Sequence, residues 1–206
     1  MSGIISQNAG RHTGLVKATE AGGGAWTLIQ TLTSDGSDDD LSFTSGLDDT
    51  YDVYCFILMN IHAETVTPSG DLFQFNASDD GGSNYDLSKI GTVFRGYQNE
   101  AGAGAAFNYD SGQDIAGTGY GTLMSYLDTK VDSGGCTEFY LWNPSSTTYT
   151  KHFSSRNTFP QSADNPYIYD FFVAGYINTT AAVNAIQFKM SSGEIQDGTI
   201  SLFGIG

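Results

Sequence analysis

The side chains in this sequence that could carry out chemistry are mainly carboxylates, grouped in two short clusters. Asp35, Asp38 and Asp40 lie in the first cluster and Asp79 and Asp80 in the second, each beside glycine and serine. Ca²⁺ prefers hard oxygen ligands, so these five residues are candidate calcium ligands. Neither cluster has the ligand spacing of an EF-hand loop. Because aspartate and glycine also favour turns, the alternative is solvated hairpin turns and no cofactor.

The histidines show no catalytic or metal-binding pattern. His12, His62 and His152 are the three histidines, and no two of them have the i, i+4 spacing that directs two imidazoles at one metal. We expect His62 and His152 to be ordinary hydrogen-bonded side chains. The sequence also has no G-x-S-x-G nucleophile elbow and no phosphate-binding Walker loop. We therefore predict that the protein is not an enzyme.

The charge of the chain argues against two classes of partner. Its formal net charge is −15, with eight Lys and Arg against 23 Asp and Glu, whereas nucleic-acid binding needs clustered basic residues. There is no run of about 18 apolar residues, so we predict no membrane insertion. The first ten residues lack a basic segment leading into a long apolar one, which argues against a secretion signal. We expect the protein to remain in the cytoplasm or to leave it within a particle or by lysis.

The composition and the hydrophobic pattern predict an all-β protein. Eighteen of the 23 acids are aspartate, which favours turns over helices, and glycine numbers 26. Apolar and polar residues alternate in short segments that are separated by turn residues. These segments predict ten to twelve strands: 26–32, 40–44, 51–61, 71–76, 92–98, 105–109, 123–127, 138–142, 148–154, 171–178, 185–190 and 199–203. The economical architecture is an antiparallel two-sheet sandwich, jelly-roll-like.

The chain divides into a short N-terminal segment, residues 1–24, and a sandwich domain, residues 25–206. The N-terminal segment has no acid before Glu20 and ends in three glycines, which indicates an extended arm followed by a flexible joint. Six apolar or basic residues of this arm are candidates for docking on a partner: Ile4, Ile5, Arg11, Leu15, Val16 and Lys17. The alternative is a frayed terminus.

The two cysteines predict little about the cellular compartment. Cys55 lies in an apolar strand segment and Cys136 begins another. No C-x-x-C pair is present to bind a metal, and a cytoplasmic origin disfavours disulfides. We expect two free thiols in the core, with a disulfide as the alternative.

Several segments together resemble a family of β-rich structural proteins encoded by marine tailed phages. The resemblance covers nearly the whole chain, and the segments that carry it are residues 41–46, 61–62, 143–148, 151–153, 170–180 and 185–204. The resemblance implies a non-enzymatic virion structural protein, exposed on the particle as a capsid decoration, a knob or a short tail-fibre module. It also implies a homotrimer that contacts other capsid or tail proteins. A chain of this kind would be made in the host cytoplasm.

A carbohydrate-binding module for host attachment is the alternative function. In such a module, exposed tyrosine and tryptophan rings would stack on glycans of the host surface. A polysaccharide-degrading enzyme is a third possibility, which the missing catalytic pattern disfavours. A long tail fibre is disfavoured because the sequence has no shaft repeat or coiled coil.

Overall fold

The computed structural model describes residues 25–64, 71–127, 130, 132–161 and 167–206. These residues form thirteen β-strands and one short turn of 3₁₀ helix, Ser111–Gln113. The strands are β1 (Trp26–Thr33), β2 (Asp40–Phe43), β3 (Val53–Ala63), β4 (Leu72–Ser78), β5 (Lys89–Asn99), β6 (Ala105–Tyr109), β7 (Ile115–Gly117), β8 (Gly121–Ser125), β9 (Gly135–Trp142), β10 (Lys151–Gln161), β11 (Tyr167–Ile177), β12 (Ala185–Met190) and β13 (Ile195–Ile205).

The strands form two antiparallel sheets with a jelly-roll core. The larger sheet has the order β1-β13-β3-β9-β10-β11-β5-β6, with β7 also paired to β5, and the smaller sheet has the order β2-β12-β4-β8. Four pairs define the core: β1 with β13, β2 with β12, β3 with β9 and β4 with β8. These are the pairs that form when one long antiparallel ribbon rolls up into two sheets, which is the jelly-roll arrangement.

Two insertions widen the larger sheet beyond this core. One insertion lies between β4 and β8 and contributes β5, β6 and β7, and the other lies between β9 and β12 and contributes β10 and β11. The two insertions pair with each other through β5 and β11, over eleven residue pairs. They therefore add one continuous extension to the larger sheet on the side of β9.

Aromatic side chains fill the space between the two sheets. Phe56 of the larger sheet has ring-centroid distances of 5.2 Å to Phe43 and 5.4 Å to Phe188, both of the smaller sheet. Phe75 lies 4.8 Å from Phe139 in the same way. The pairs Phe43–Phe56 and Phe75–Phe139 are edge-to-face, and such pairs add to the stabilisation that apolar burial gives. All five rings are fully buried.

Two lysines are also fully buried in this sandwich. The Lys89 Nζ donates to Oδ1 of Asn76 at 2.7 Å and to the carbonyl oxygen of Gly119 at 2.6 Å. The Lys151 Nζ donates to the carbonyl oxygens of Ser146 at 2.5 Å and Tyr149 at 3.0 Å. A buried ammonium group is costly unless its protons are hydrogen-bonded, so both lysines are tied to the loops that supply these oxygens.

The all-β, two-sheet prediction is confirmed, and the strand predictions differ from the structure mainly in length. The strand predicted at 148–154 begins later and runs to Gln161, and β7 was not predicted. The arm, residues 1–24, and its six candidate docking residues lie outside the described residues. In the described part of the chain, no helix has the length and apolar character needed to cross a membrane.

Candidate functional site: acidic loops and an apolar sheet face

The first predicted calcium cluster forms a hydrogen-bonded turn between β1 and β2. Oδ1 of Asp35 accepts hydrogen bonds from the amide of Ser37 at 3.1 Å and from its hydroxyl at 2.7 Å. Oδ2 of Asp38 accepts from the amide of Asp35 at 3.0 Å. Oδ1 of Asp40 accepts from the hydroxyl of Ser42 at 2.6 Å, within β2. Each carboxylate thus has a local partner of the kind that aspartate finds in turns.

The second cluster forms the turn after β4 in the same manner. Oδ1 of Asp80 accepts from the hydroxyl of Ser78 at 2.6 Å and from the amide of Asn84 at 2.9 Å. The Ser78 hydroxyl and the Asn84 side chain lower the pKa of Asp80 to about 2. Asp79 is exposed, and its carbonyl accepts from the side chain of Asn184 at 3.2 Å.

The structure does not gather the five candidate calcium ligands at one point. Among the described residues, no group of three or more His, Cys, Asp or Glu side chains is placed to hold a metal ion. Four of the five lie on two segments that connect the two sheets, residues 34–39 and 79–88, and Asp40 lies in β2. These two segments and a third connection between the sheets, residues 44–52, are here called the acidic loops. Eight carboxylates of these loops are exposed: Asp35, Asp39, Asp48, Asp49, Asp52, Asp79, Asp80 and Asp86.

A polar cleft lies at one end of the larger sheet, beside His62. It has a volume of about 440 Å³, and Asp132 and Asp197 are among its lining residues. His62 is 5% exposed, and its Nε2 lies 2.6 Å from the carbonyl oxygen of Lys130. This confirms the prediction of an ordinary hydrogen-bonded histidine. His152 is exposed on β10, with its ring 6.0 Å from that of Tyr176.

The outward side of the larger sheet is the most distinctive surface of the protein. Strand register places its side chains in rows that run across the sheet, perpendicular to the strands. The first row is Tyr109, Phe94, Phe172, Arg156, Glu138, Ile57, Ser201 and Thr31. The second row is Thr92, Ala174, Ser154, Tyr140, Cys55, Phe203 and Leu28.

Further rows lie on either side of these two. Beyond the second row are Ile90, Tyr176 and His152 on the extension, and Trp142, Val53, Ile205 and Trp26 on the core. Before the first row are Phe107, Gly96 and Asp170, followed by Thr158 and Cys136. Together with Ile168 and Met59, these residues are here called the outer face.

The outer face is apolar although it is exposed. Of the eleven exposed large apolar side chains among the described residues, nine lie on it: Trp26, Leu28, Met59, Ile90, Phe94, Phe107, Tyr109, Ile168 and Phe172. Phe107 has the largest exposed fraction of the nine, 68%. Exposed apolar residues scattered singly are ordinary in proteins, but a contiguous patch marks an interaction surface.

The outer face is also nearly neutral, in a protein with a formal net charge of −15. Its charged residues are Glu138, Arg156 and Asp170. The guanidinium of Arg156 donates to both carboxylate oxygens of Asp170, with Nε–Oδ1 at 3.0 Å and Nη2–Oδ2 at 2.7 Å. This pairing leaves Glu138 as the uncompensated charge on the face.

A shallow groove crosses the outer face on the extension. Its floor consists of three small residues in register on neighbouring strands, Ser154, Ala174 and Thr92. Phe94 and Phe172 form a wall along one side, and the volume is about 290 Å³. Small residues between large ones thus give the face a ridge and a trough.

The two cysteines lie in different environments, and the prediction that both are in the core is wrong for one of them. Both thiols are free. Cys55 is buried in the second row between Tyr140 and Phe203, and burial raises its pKa to about 12. Cys136 is exposed because Thr137, its neighbour on β9, takes the inward position.

Comparison of the chain with protein-family models, with curated protein sequences and with solved structures finds no match in any of the three.

Proposed function

We propose that this chain is a non-enzymatic structural protein of a tailed-phage particle. It would stand on the particle surface as a capsid decoration, a knob or a short fibre module. The observation that best supports this proposal is the outer face, where nine large apolar side chains are exposed on one side of one sheet. In an isolated subunit such a face exposes apolar surface to water, which is unfavourable, whereas in an assembly it can form a contact with another subunit.

The outer face leaves a large apolar area in contact with water. Burying one large apolar side chain contributes roughly 1.5 to 3 kcal/mol. Residues such as Phe107 and Leu28, which are 68% and 57% exposed, leave much of that contribution unused in a single chain. A protein that works as a subunit recovers it on assembly, after the costs of association are subtracted.

In this proposal, residues 1–24 attach the module to other capsid or tail proteins. Ile4, Ile5 and Leu15 would supply apolar anchors, and Arg11 and Lys17 would pair with carboxylates of the partner. The acidic loops would face solvent and keep particles mutually repelling. The protein would be made in the host cytoplasm and assembled there as a homotrimer.

Removal of the arm tests the proposed mode of attachment. A chain that begins near Gly22 should melt at the same temperature as the full protein and should fail to enter particles. The matched control is the full chain with Tyr149→Glu, a substitution at a side chain that is 69% exposed and lies outside the outer face. Normal incorporation of the shortened chain would show that attachment resides on the sandwich.

Carbohydrate binding is a second candidate function, and the groove on the outer face favours it. Phe94, Phe172 and Tyr140 are aromatic side chains around a floor that includes the hydroxyl groups of Ser154 and Thr92. Aromatic rings beside hydroxyl groups can bind a sugar ring by stacking and hydrogen bonding. Binding of a host-surface glycan by the full chain, lost on substitution of Phe172 by alanine, would support this candidate.

A further inference from the structure

We propose that the outer face of the larger sheet is the surface through which copies of this chain contact one another. This inference deepens the proposed function, because it assigns the contact between subunits to particular strands. The contact would be centred on the extension, where β10, β11, β5 and β6 carry Phe94, Phe107, Tyr109 and Phe172.

Charge favours a second copy as the partner of this face. Nearly all of the net charge of −15 lies elsewhere, and the acidic loops would repel the same loops of another copy. On the outer face the Arg156–Asp170 pair is internally neutral, with Nη2–Oδ2 at 2.7 Å. Two copies can therefore approach most closely through this face, which brings few like charges together.

The size of the outer face matches the requirement of a stable contact. Eight strands follow one another across the larger sheet, and with about 4.8 Å between neighbouring strands they span about 34 Å. Successive rows are two residues apart, or about 6.7 Å, so four rows with their side chains extend about 25 Å along the strands. The resulting area is roughly 850 Å², and a standard interface buries about 800 Å² on each partner.

The shape of the face is complementary to itself. The row with Phe94, Phe172 and Arg156 forms a ridge, and the adjacent row with Thr92, Ala174 and Ser154 forms the trough. In face-to-face packing of two sheets, side chains of one inner face fill the spaces of the other. A ridge of one copy can thus enter the trough of the next.

The chemistry of the groove favours a protein side chain over a sugar as its occupant. Its long wall is formed by phenylalanines, which offer no hydrogen bond to a sugar hydroxyl. The Arg156 guanidinium, the strongest donor beside the groove, already pairs with Asp170 through two nitrogens. An apolar side chain of another copy needs no such donor.

The test compares the mass of the full chain with that of variants by sedimentation velocity at micromolar concentration. The wild-type protein should sediment as a defined multiple of 22.0 kDa. Phe107→Glu and Ala174→Glu place a carboxylate on the ridge side and in the trough, and each should weaken association at least about tenfold. Tyr149→Glu is the matched control, because Tyr149 is 69% exposed, close to the 68% of Phe107, but lies outside the outer face. The mass of the Tyr149→Glu protein in solution should equal that of the wild type.

Melting temperatures measured at high dilution show whether each variant is folded. Because Phe107 and Ala174 are both exposed, the substitutions leave the core intact. A wild-type protein that stays at 22.0 kDa, or folded variants that associate as strongly as the wild type, would overturn the inference. So would a monomer whose outer face binds a glycan.

Examination of purified particles separates the test of the contact between copies from the test of the proposed structural role. A monomeric protein that is nevertheless found in particles would refute the contact between copies and leave the structural role standing. A protein that associates through the outer face but is missing from particles would support the contact between copies and refute the structural role.

Discussion

Replacement of Lys89 by methionine should change the way in which stability depends on pH. Lys89 is fully buried, and its Nζ donates to Asn76, Leu87 and Gly119 at 2.7, 3.1 and 2.6 Å. Burial lowers the pKa of Lys89 from its usual 10.5 to about 8. Between pH 8 and 10.5 the unfolded chain therefore binds a proton that the folded chain has released. Stability rises with pH wherever the unfolded state binds more protons.

The size of this effect follows from the pKa difference. Each pKa unit corresponds to about 1.36 kcal/mol, so the free energy of unfolding of the wild type should rise by about 3 kcal/mol relative to Lys89→Met. The rise should begin near pH 8 and end near pH 10.5. Below pH 8 the difference between the two proteins should be constant, because Lys89 is then protonated in both states.

Urea denaturation at a fixed protein concentration and at several pH values from 7 to 11 measures this difference. Titration of the tyrosines and cysteines affects wild type and variant alike, so it cancels in the comparison. Lys189→Met, which removes a lysine 5.2 Å from the ring centroid of Tyr120, controls for the loss of one positive charge. A wild-type-minus-variant difference that stays flat or falls between pH 8 and 10.5 would refute the reasoning about Lys89.

Three further predictions concern packing, thiol chemistry and metal binding. Gly175→Ala should lower the free energy of unfolding by at least about 3 kcal/mol, because the new Cβ would lie 2.6 Å from the Cα of Gly91. Gly96→Ala is the control and should change the free energy of unfolding little, because the atom nearest to its new Cβ would be 3.7 Å away. Urea denaturation of both variants measures the difference. In a Cys136→Ser background, the buried Cys55 should react with an aromatic disulfide only after denaturation, and fast reaction of the native protein would contradict its burial. Millimolar Ca²⁺ should leave the melting temperature nearly unchanged after chelation controls, and a rise of more than about 10 °C would show that the acidic loops bind metal.

The strands of the jelly-roll core were largely predictable from the sequence. Segments such as β12 and β13 alternate apolar and polar residues between turn residues, and this pattern places them within a few positions. Their pairing was not predictable in the same way. The contact of β5 with β11 joins residues about 80 positions apart, and only the completed fold brings these two insertions together.

The outer face was hidden from sequence analysis because both sides of some strands are apolar. On β11, Phe171 points into the core and Phe172 points outward. Because the two phenylalanines are adjacent and identical, the sequence does not indicate which of them is buried. The buried position of Lys89 was hidden for a similar reason, since two of its acceptors, Asn76 and Gly119, lie in segments that only the fold brings near. Cys136 is different: the inward alternation of Thr137, Phe139 and Leu141 could have placed it outside.

The most direct test of the structural role is an image of purified particles in which this protein carries a label. We expect the label at regular positions on the particle surface, on the capsid or on the tail. The label should remain through repeated purification. Particles that retain infectivity and contain no labelled protein would contradict the proposal that this chain is one of their structural components.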